Sequence, residues 1–299
     1  ADSGATRGER RTRHKYLVAM DPNRGQGGQA PPFFLVAGMF GNVLNLRHLA
    51  NQIGGDRPFY GVQARGLFGG DVPHETFEAM ARDYLVEIRQ VQPHGPYLLG
   101  GFSGGGIAAL EMARQLREVG EETILLVMLD TPLPQGPDLT TDDKIKFHLQ
   151  NLQREGIRYP IDWVKDRLAW RQVVRRRRLG IVDESEDGSL HSSEIEAAFY
   201  RAIARYQVRH HPGTISLFRP KLNPTHVFGE GRMINRDKRF IYEDNGWTPH
   251  CDRVDVFEMP GDHDSMVLEP NVRVLAAKMR EQILAAEHAA MSLSARAGS

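Results

Sequence analysis

A single cysteine stands in the 299 residues. Cys251 alone excludes an internal disulfide framework and gives no support for secretion. Long apolar runs are missing too. No stretch reaches the roughly 18–20 residues that a membrane span requires. The first fifteen residues are polar and basic, without the apolar region of a secretory signal. A cytoplasmic setting is the expectation. Charge of one sign is also absent: 38 lysines and arginines balance 38 aspartates and glutamates. No global field therefore marks a nucleic-acid or membrane partner. The paired His210-His211 lacks further ligands at suitable spacing, so no metal is expected.

What is present is ordinary globular composition with a strong internal pattern. Apolar residues make up 40% of the chain and charged residues 25%, as in soluble domains. Short apolar runs alternate with segments of helical period. Tyr16–Met20, Phe33–Ala37, Phe59–Gln63, Tyr97–Leu99 and Thr123–Leu129 read as strands. Val43–Ile53, Thr76–Gln92 and Ile107–Leu116 read as helices; the second carries apolar residues at 77, 80, 84, 85 and 88. Continuous apolar strands such as TILLVML fit a parallel sheet buried on both faces by helices.

The texture changes between residues 137 and 211, where Asp142–Glu155, Ile161–Arg178 and Ser193–Arg209 read as helices without intervening strands. Alternation resumes with Thr214–Phe218, Thr225–Phe228 and Arg253–Phe257, and Asn271–Ala286 closes the chain as a helix. The expected architecture is α/β, with a mostly parallel central sheet flanked by helices. Residues 16–136 and 212–286 form the core, and 137–211 an inserted helical lid. Residues 1–15 read as a linker or disordered terminus and 287–299 as a tail.

The strongest chemical signal is Gly101-Phe102-Ser103-Gly104-Gly105, a G-x-S-x-G sequence between an apolar strand and an amphipathic helix. That setting defines a nucleophile elbow, a sharp turn that exposes the serine hydroxyl. A serine is a poor nucleophile until a base takes its proton. Of twelve histidines, His263 is best placed, just past the strand ending at Phe257. Reactive groups gather at the carboxyl ends of strands in open parallel sheets.

The third residue must orient the imidazole, and two acids compete. Asp130 follows the strand Thr123–Leu129; Glu230 follows Thr225–Phe228. Both give the order serine, acid, histidine, and the residues alone do not separate them. The oxyanion requires two donors. One is the backbone N–H of Gly104; the other comes from Gly38-Met39-Phe40-Gly41, with Met39 favoured and Phe40 the neighbouring option.

These pieces resemble the thioesterase domains of polyketide synthases and nonribosomal peptide synthetases. The resemblance is carried by FFLVAGMFGNVLNLRHLA (33–50), FYGVQARGL (59–67), PYLLGGFSGGGIAALEMARQL (96–116), ILLVMLDTP (124–132) and PGDHDSMVLEP (260–270), in family order. It implies an α/β-hydrolase fold, Asp130 as the acid, and a mobile lid over an acyl channel. It also implies an acyl or peptidyl carrier protein as partner, whose phosphopantetheine thioester delivers a small-molecule acyl substrate. The chain itself then needs no bound cofactor. Release of the acyl-Ser103 would proceed by hydrolysis or macrocyclisation. Met39 and Phe102 near the elbow are substrate walls or simple core, Phe40 is a candidate wall, and Trp163 and Trp170, seven apart on one helix face, pack the lid or line an acyl tunnel. The loop LVAGMFGN departs from relatives that carry a histidine–proline or proline–proline pair before the glycines, which bears on the donor assignment alone.

Two other functions fit the same residues. A carboxylesterase or lipase would hydrolyse simple oxygen esters without a carrier, and a non-catalytic binding module would leave Ser103 inert to a fluorophosphonate.

Overall fold

The computed structural model describes residues 14–20, 30–53, 57–136, 139–156, 190–224, 226–227, 233–235 and 240–297. Side-chain alternation along three central strands explains its layers. In β2 (Phe33–Val36), Phe33 and Leu35 enter one apolar cluster while Phe34 and Val36 enter another. The same split recurs in β4 (Tyr97–Phe102) and β5 (Thr123–Leu129), where Leu98, Leu125 and Val127 face away from Leu99, Leu126 and Met128. Successive side chains of a strand point to opposite faces, so apolar runs of this kind demand cover on both.

Helices provide that cover. On one face lie α2 (Phe77–Val91) and α3 (Gly105–Glu118); on the other lies α1 (Arg47–Ile53). All five apolar positions anticipated in α2 are buried. Thr76 starts that helix by accepting from the Ala79 N–H at 3.3 Å, a cap worth about 1 kcal/mol. A second pair of helices completes the layers. Helix α5 (Leu190–Arg205) adds Phe199 and Ala202 to the α2/α3 face, and α6 (Val272–Ala297) joins α1. Each fully buried leucine or phenylalanine contributes about 1.5–3 kcal/mol.

Among the described residues the main sheet has seven strands. Beside those named are β1 (Leu17–Ala19), β3 (Phe59–Val62), β6 (His211–Pro220) and β10 (Cys251–Met259), in the order β1-β3-β2-β4-β5-β6-β10. Only β1 runs antiparallel to its neighbour. This is the mostly parallel, helix-flanked sheet of the α/β-hydrolase fold.

Three expectations require correction. The segment around residue 226 does not join the main sheet. His226–Val227 (β7) instead pairs with β8 (Met233–Ile234), which in turn pairs with β9 (Phe240–Ile241), in a small antiparallel sheet. The second concerns residues 287–299, expected to form a tail. The closing helix continues through Ala297, because AAEHAAMSLSARA is rich in strong helix formers that need no burial. Third, the helix expected over Ser193–Arg209 is Leu190–Arg205, since His211 is already paired with Cys251 in the sheet. Helix α4 (Thr141–Glu155) begins with a reciprocal cap between Thr140 and Asp143. The expected helix Ile161–Arg178, with Trp163 and Trp170, lies outside the described residues, as do residues 1–13.

Candidate active site

The chain turns sharply at Ser103, which follows β4 directly and adopts φ 53°. Side chains other than glycine are rare in that left-handed region, and the strain is held by neighbours. The Ser103 N–H donates to Leu129 O on the adjacent strand at 2.8 Å, and the Ser103 carbonyl accepts from Gly106 at 3.1 Å. Strand and helix then approach so closely that a Cβ on Gly101 would lie 2.1 Å from the Gly105 backbone. The small residues flanking Ser103 are therefore geometrically required.

Beside the elbow, the chain leaves β2 through a tight turn closed by Gly41 N–H to Gly38 O at 2.9 Å. The first turn of α3 is pressed against the end of β2, since a Cβ on Gly105 would meet Ala37 O at 2.3 Å. The Met39–Phe40 segment thus borders the elbow. Among the described residues, neither the Met39 nor the Gly104 N–H donates to another backbone carbonyl. Met39 is half-buried and Phe40 exposed.

Asp130 and His263 come from strand ends 133 residues apart in the chain and meet at 2.7 Å, Nδ1 of the imidazole against Oδ2 of the carboxylate. Asp130 follows β5 with φ 48° and anchors its N–H on Phe218 O at 2.7 Å. His263 sits in the turn after β10. There Asp262 accepts from the Ser265 N–H and hydroxyl at 2.9 and 2.6 Å, so its carboxylate holds the turn. The hydrogen bond to Asp130 lifts the imidazole above its ordinary pKa; burial opposes it, and the charges of Asp130, Asp264 and Asp262 add to it.

Phe102 links this pair to the elbow. It is buried, and its ring stacks on His263 with centroids 5.1 Å apart at 28°. The residue anticipated as a substrate wall therefore lies against the imidazole. Among the described residues no hydrogen bond joins Ser103 to His263. Such contacts are often long without substrate and tighten in the reacting complex.

Of the two competing acids, Glu230 lies outside the described residues. The strand preceding it belongs to the small antiparallel sheet, which removes the carboxyl-edge argument that favoured it. Two neighbours of the site escaped the sequence reading. The ring of Phe199, on α5, rests on Gly104. Asn245 donates to Asp130 Oδ1 at 3.2 Å. The Glu-Asp-Asn-Gly run at 243–246 signals a turn, but nothing in its pattern points to residue 130. Among the described residues no cluster of three or more histidine, cysteine or acidic side chains forms a metal site, and no helix is long and apolar enough to cross a membrane.

Comparison with known proteins gives the family and the fold. The thioesterase domain family matches residues 31–279. Chondramide synthase cmdD of Chondromyces crocatus is 29% identical over 90% of the chain, which covers 7% of that protein. Indigoidine synthase of Dickeya dadantii is 40% identical over 41% of the chain, covering 8% of its length. The chain thus spans less than a tenth of either relative. The NocB thioesterase domain, in covalent complex with a fluorophosphonate nocardicin G analog, superposes over 90% of this chain and 99% of its own. Its TM-score is 0.60 and its identity 24%. A four-domain nonribosomal peptide synthetase, AB3403, superposes over 89% of this chain and 20% of its own, with a TM-score of 0.61 and 23% identity. The chain belongs to the thioesterase domain family, of the type found in nonribosomal peptide and polyketide synthetases, and is a thioesterase with the α/β-hydrolase fold.

Proposed function

We propose that this thioesterase releases an acyl or peptidyl chain from the phosphopantetheine thioester of a carrier protein, through an ester on Ser103. The Asp130–His263 contact at 2.7 Å, on the edge of the sheet that carries the elbow, is the observation that supports it most. Asp130 holds Nδ1 protonated, leaving Nε2 as the base. His263 takes the Ser103 proton as Oγ attacks the thioester carbonyl. The amides of Met39 and Gly104 receive the oxyanion. Collapse breaks the C–S bond, and the proton on His263 neutralises the departing thiolate.

A second nucleophile then gives its proton to His263 and attacks the acyl-serine, and the proton returns to Ser103 Oγ as the ester breaks. Water yields the free acid; a hydroxyl or amine of the chain itself yields a macrocycle. The region inserted between β5 and β6 acts as the lid, and the chemistry draws on no resident metal or cofactor.

Intact-protein mass spectrometry with short and long acyl thioesters tests the reading. A gain of one acyl group in the wild type, decaying with release of acid or macrocycle and missing in Ser103→Ala, is expected. Turnover of oxygen esters without any thioester adduct would overturn it.

A further inference from the structure

The Asp130 carboxylate is held at both oxygens. Oδ2 faces His263, and Oδ1 accepts from Asn245 Nδ2 at 3.2 Å. The same Nδ2 group donates to Thr131 O, also at 3.2 Å. A carboxylate and a carbonyl are both acceptors, so the amide must present its NH₂ to them.

The segment carrying Asn245 is itself pinned. Asn245 has φ 51°, donates its N–H to Tyr242 O and accepts from the Leu133 N–H. Asp244 caps the Gly246 and Thr248 amides at 2.9 and 2.7 Å. The fully buried Trp247 donates Nε1 to Thr131 O at 2.9 Å. Arg219, buried on β6, donates to Glu243 O at 2.6 Å.

We propose that Asn245 is a positioning residue of the catalytic centre, fixing the plane of the Asp130 carboxylate so that Oδ2 stays on His263 Nδ1. The inference rests on reading Ser103, His263 and Asp130 as the triad. A neutral donor suits this place. A cation on Oδ1 would neutralise the charge that Asp130 uses to stabilise the imidazolium, whereas an amide orients the carboxylate and leaves the charge in place. Among the described residues the charged groups facing the pair are otherwise acidic: Asp262 and Asp264 act on His263. The Asp244 carboxylate is turned onto backbone amides, and Arg219 is taken up by backbone carbonyls and Glu258.

The test is the rate at which an alkyl fluorophosphonate labels Ser103, followed across the pH range in which an imidazole titrates. Wild type, Ser103→Ala, Asn245→Gly and Asn245→Asp are compared. Glycine and aspartate both tolerate the positive φ, so the turn survives. Asn245→Gly frees the carboxylate and is expected to slow labelling by roughly 10- to 100-fold. Asn245→Asp sets a second negative charge beside Asp130 and is expected to move the acid limb up by about one pH unit.

Wild-type rates with an unmoved limb in both variants would overturn the inference. So would equal losses in both with the limb unmoved, which would make Asn245 a loop holder only. Failure of the wild type to label at Ser103 would instead overturn the triad reading beneath it.

Discussion

Phe199 lies on Gly104 so closely that a methyl group added to the glycine would sit 2.2 Å from its ring. One residue belongs to the elbow, the other to a helix of the inserted region. Phe199 is buried and meets Phe77 edge-on at 5.2 Å, which anchors it to α2. The helix therefore cannot shift over the elbow without repacking this ring. Gly104→Ala is expected to push ring and elbow apart and displace the Gly104 amide. Loss of an oxyanion donor costs about 10²–10³-fold in turnover. Phe199→Ala in the same chain should restore much of that rate. Thioester hydrolysis by both single variants and the double variant checks it, and additive losses would refute a steric origin.

The imidazole imposes a pH dependence. As the proposed base, His263 works only when neutral, and Asp130 raises its pKa. The acid limb of the rate profile should therefore lie above the ordinary imidazole value of about 6.5. Asp130→Asn removes that charge: the limb should move down and turnover fall by about 10⁴-fold. Glu230→Gln should leave both unchanged. Steady-state rates of the three proteins across pH decide it; a large loss confined to Glu230→Gln would make Glu230 the acid.

The site was legible to different depths. The proposed nucleophile and base, Ser103 and His263, carry local marks in glycines and strand ends: a G-x-S-x-G run between strand and helix, and a histidine just past the last strand. Asp130 and Glu230 could not be separated from the residues alone, since what favours Asp130 is strand pairing. The strand before Asp130 lies between β4 and β6, whereas His226–Val227 joins a separate sheet.

Asn245 and Phe199 were invisible for the same reason. Their importance comes from contacts across 115 residues to Asp130 and across the lid boundary to Gly104, and no local periodicity encodes such distances. Phe102 could be read as core or as substrate wall. Its stacking on His263 depends on where the turn after β10 falls.

A further prediction concerns stability beneath the elbow. Glu111 on α3 is buried, yet its carboxyl lies below the ordinary carboxylate range. Burial pushes it upward, and hydrogen bonds from Arg114 and Gln115, the Arg114 charge and the bond from the Tyr206 hydroxyl together outweigh that push. Tyr206 follows α5, so this carboxylate ties the inserted region to the nucleophile helix. Tyr206→Phe withdraws one bond to a charged acceptor and is expected to cost about 1.5–3 kcal/mol of unfolding free energy near neutral pH. The sign of the pH dependence follows from the depressed folded pKa. The stabilisation is present above the unfolded carboxyl value of about 4.3 and is lost as pH falls through the lower folded value. Denaturant unfolding of wild type and Tyr206→Phe should therefore show a gap at neutral pH that narrows in acid. A gap constant with pH would assign the loss to packing of the phenol rather than to the carboxylate.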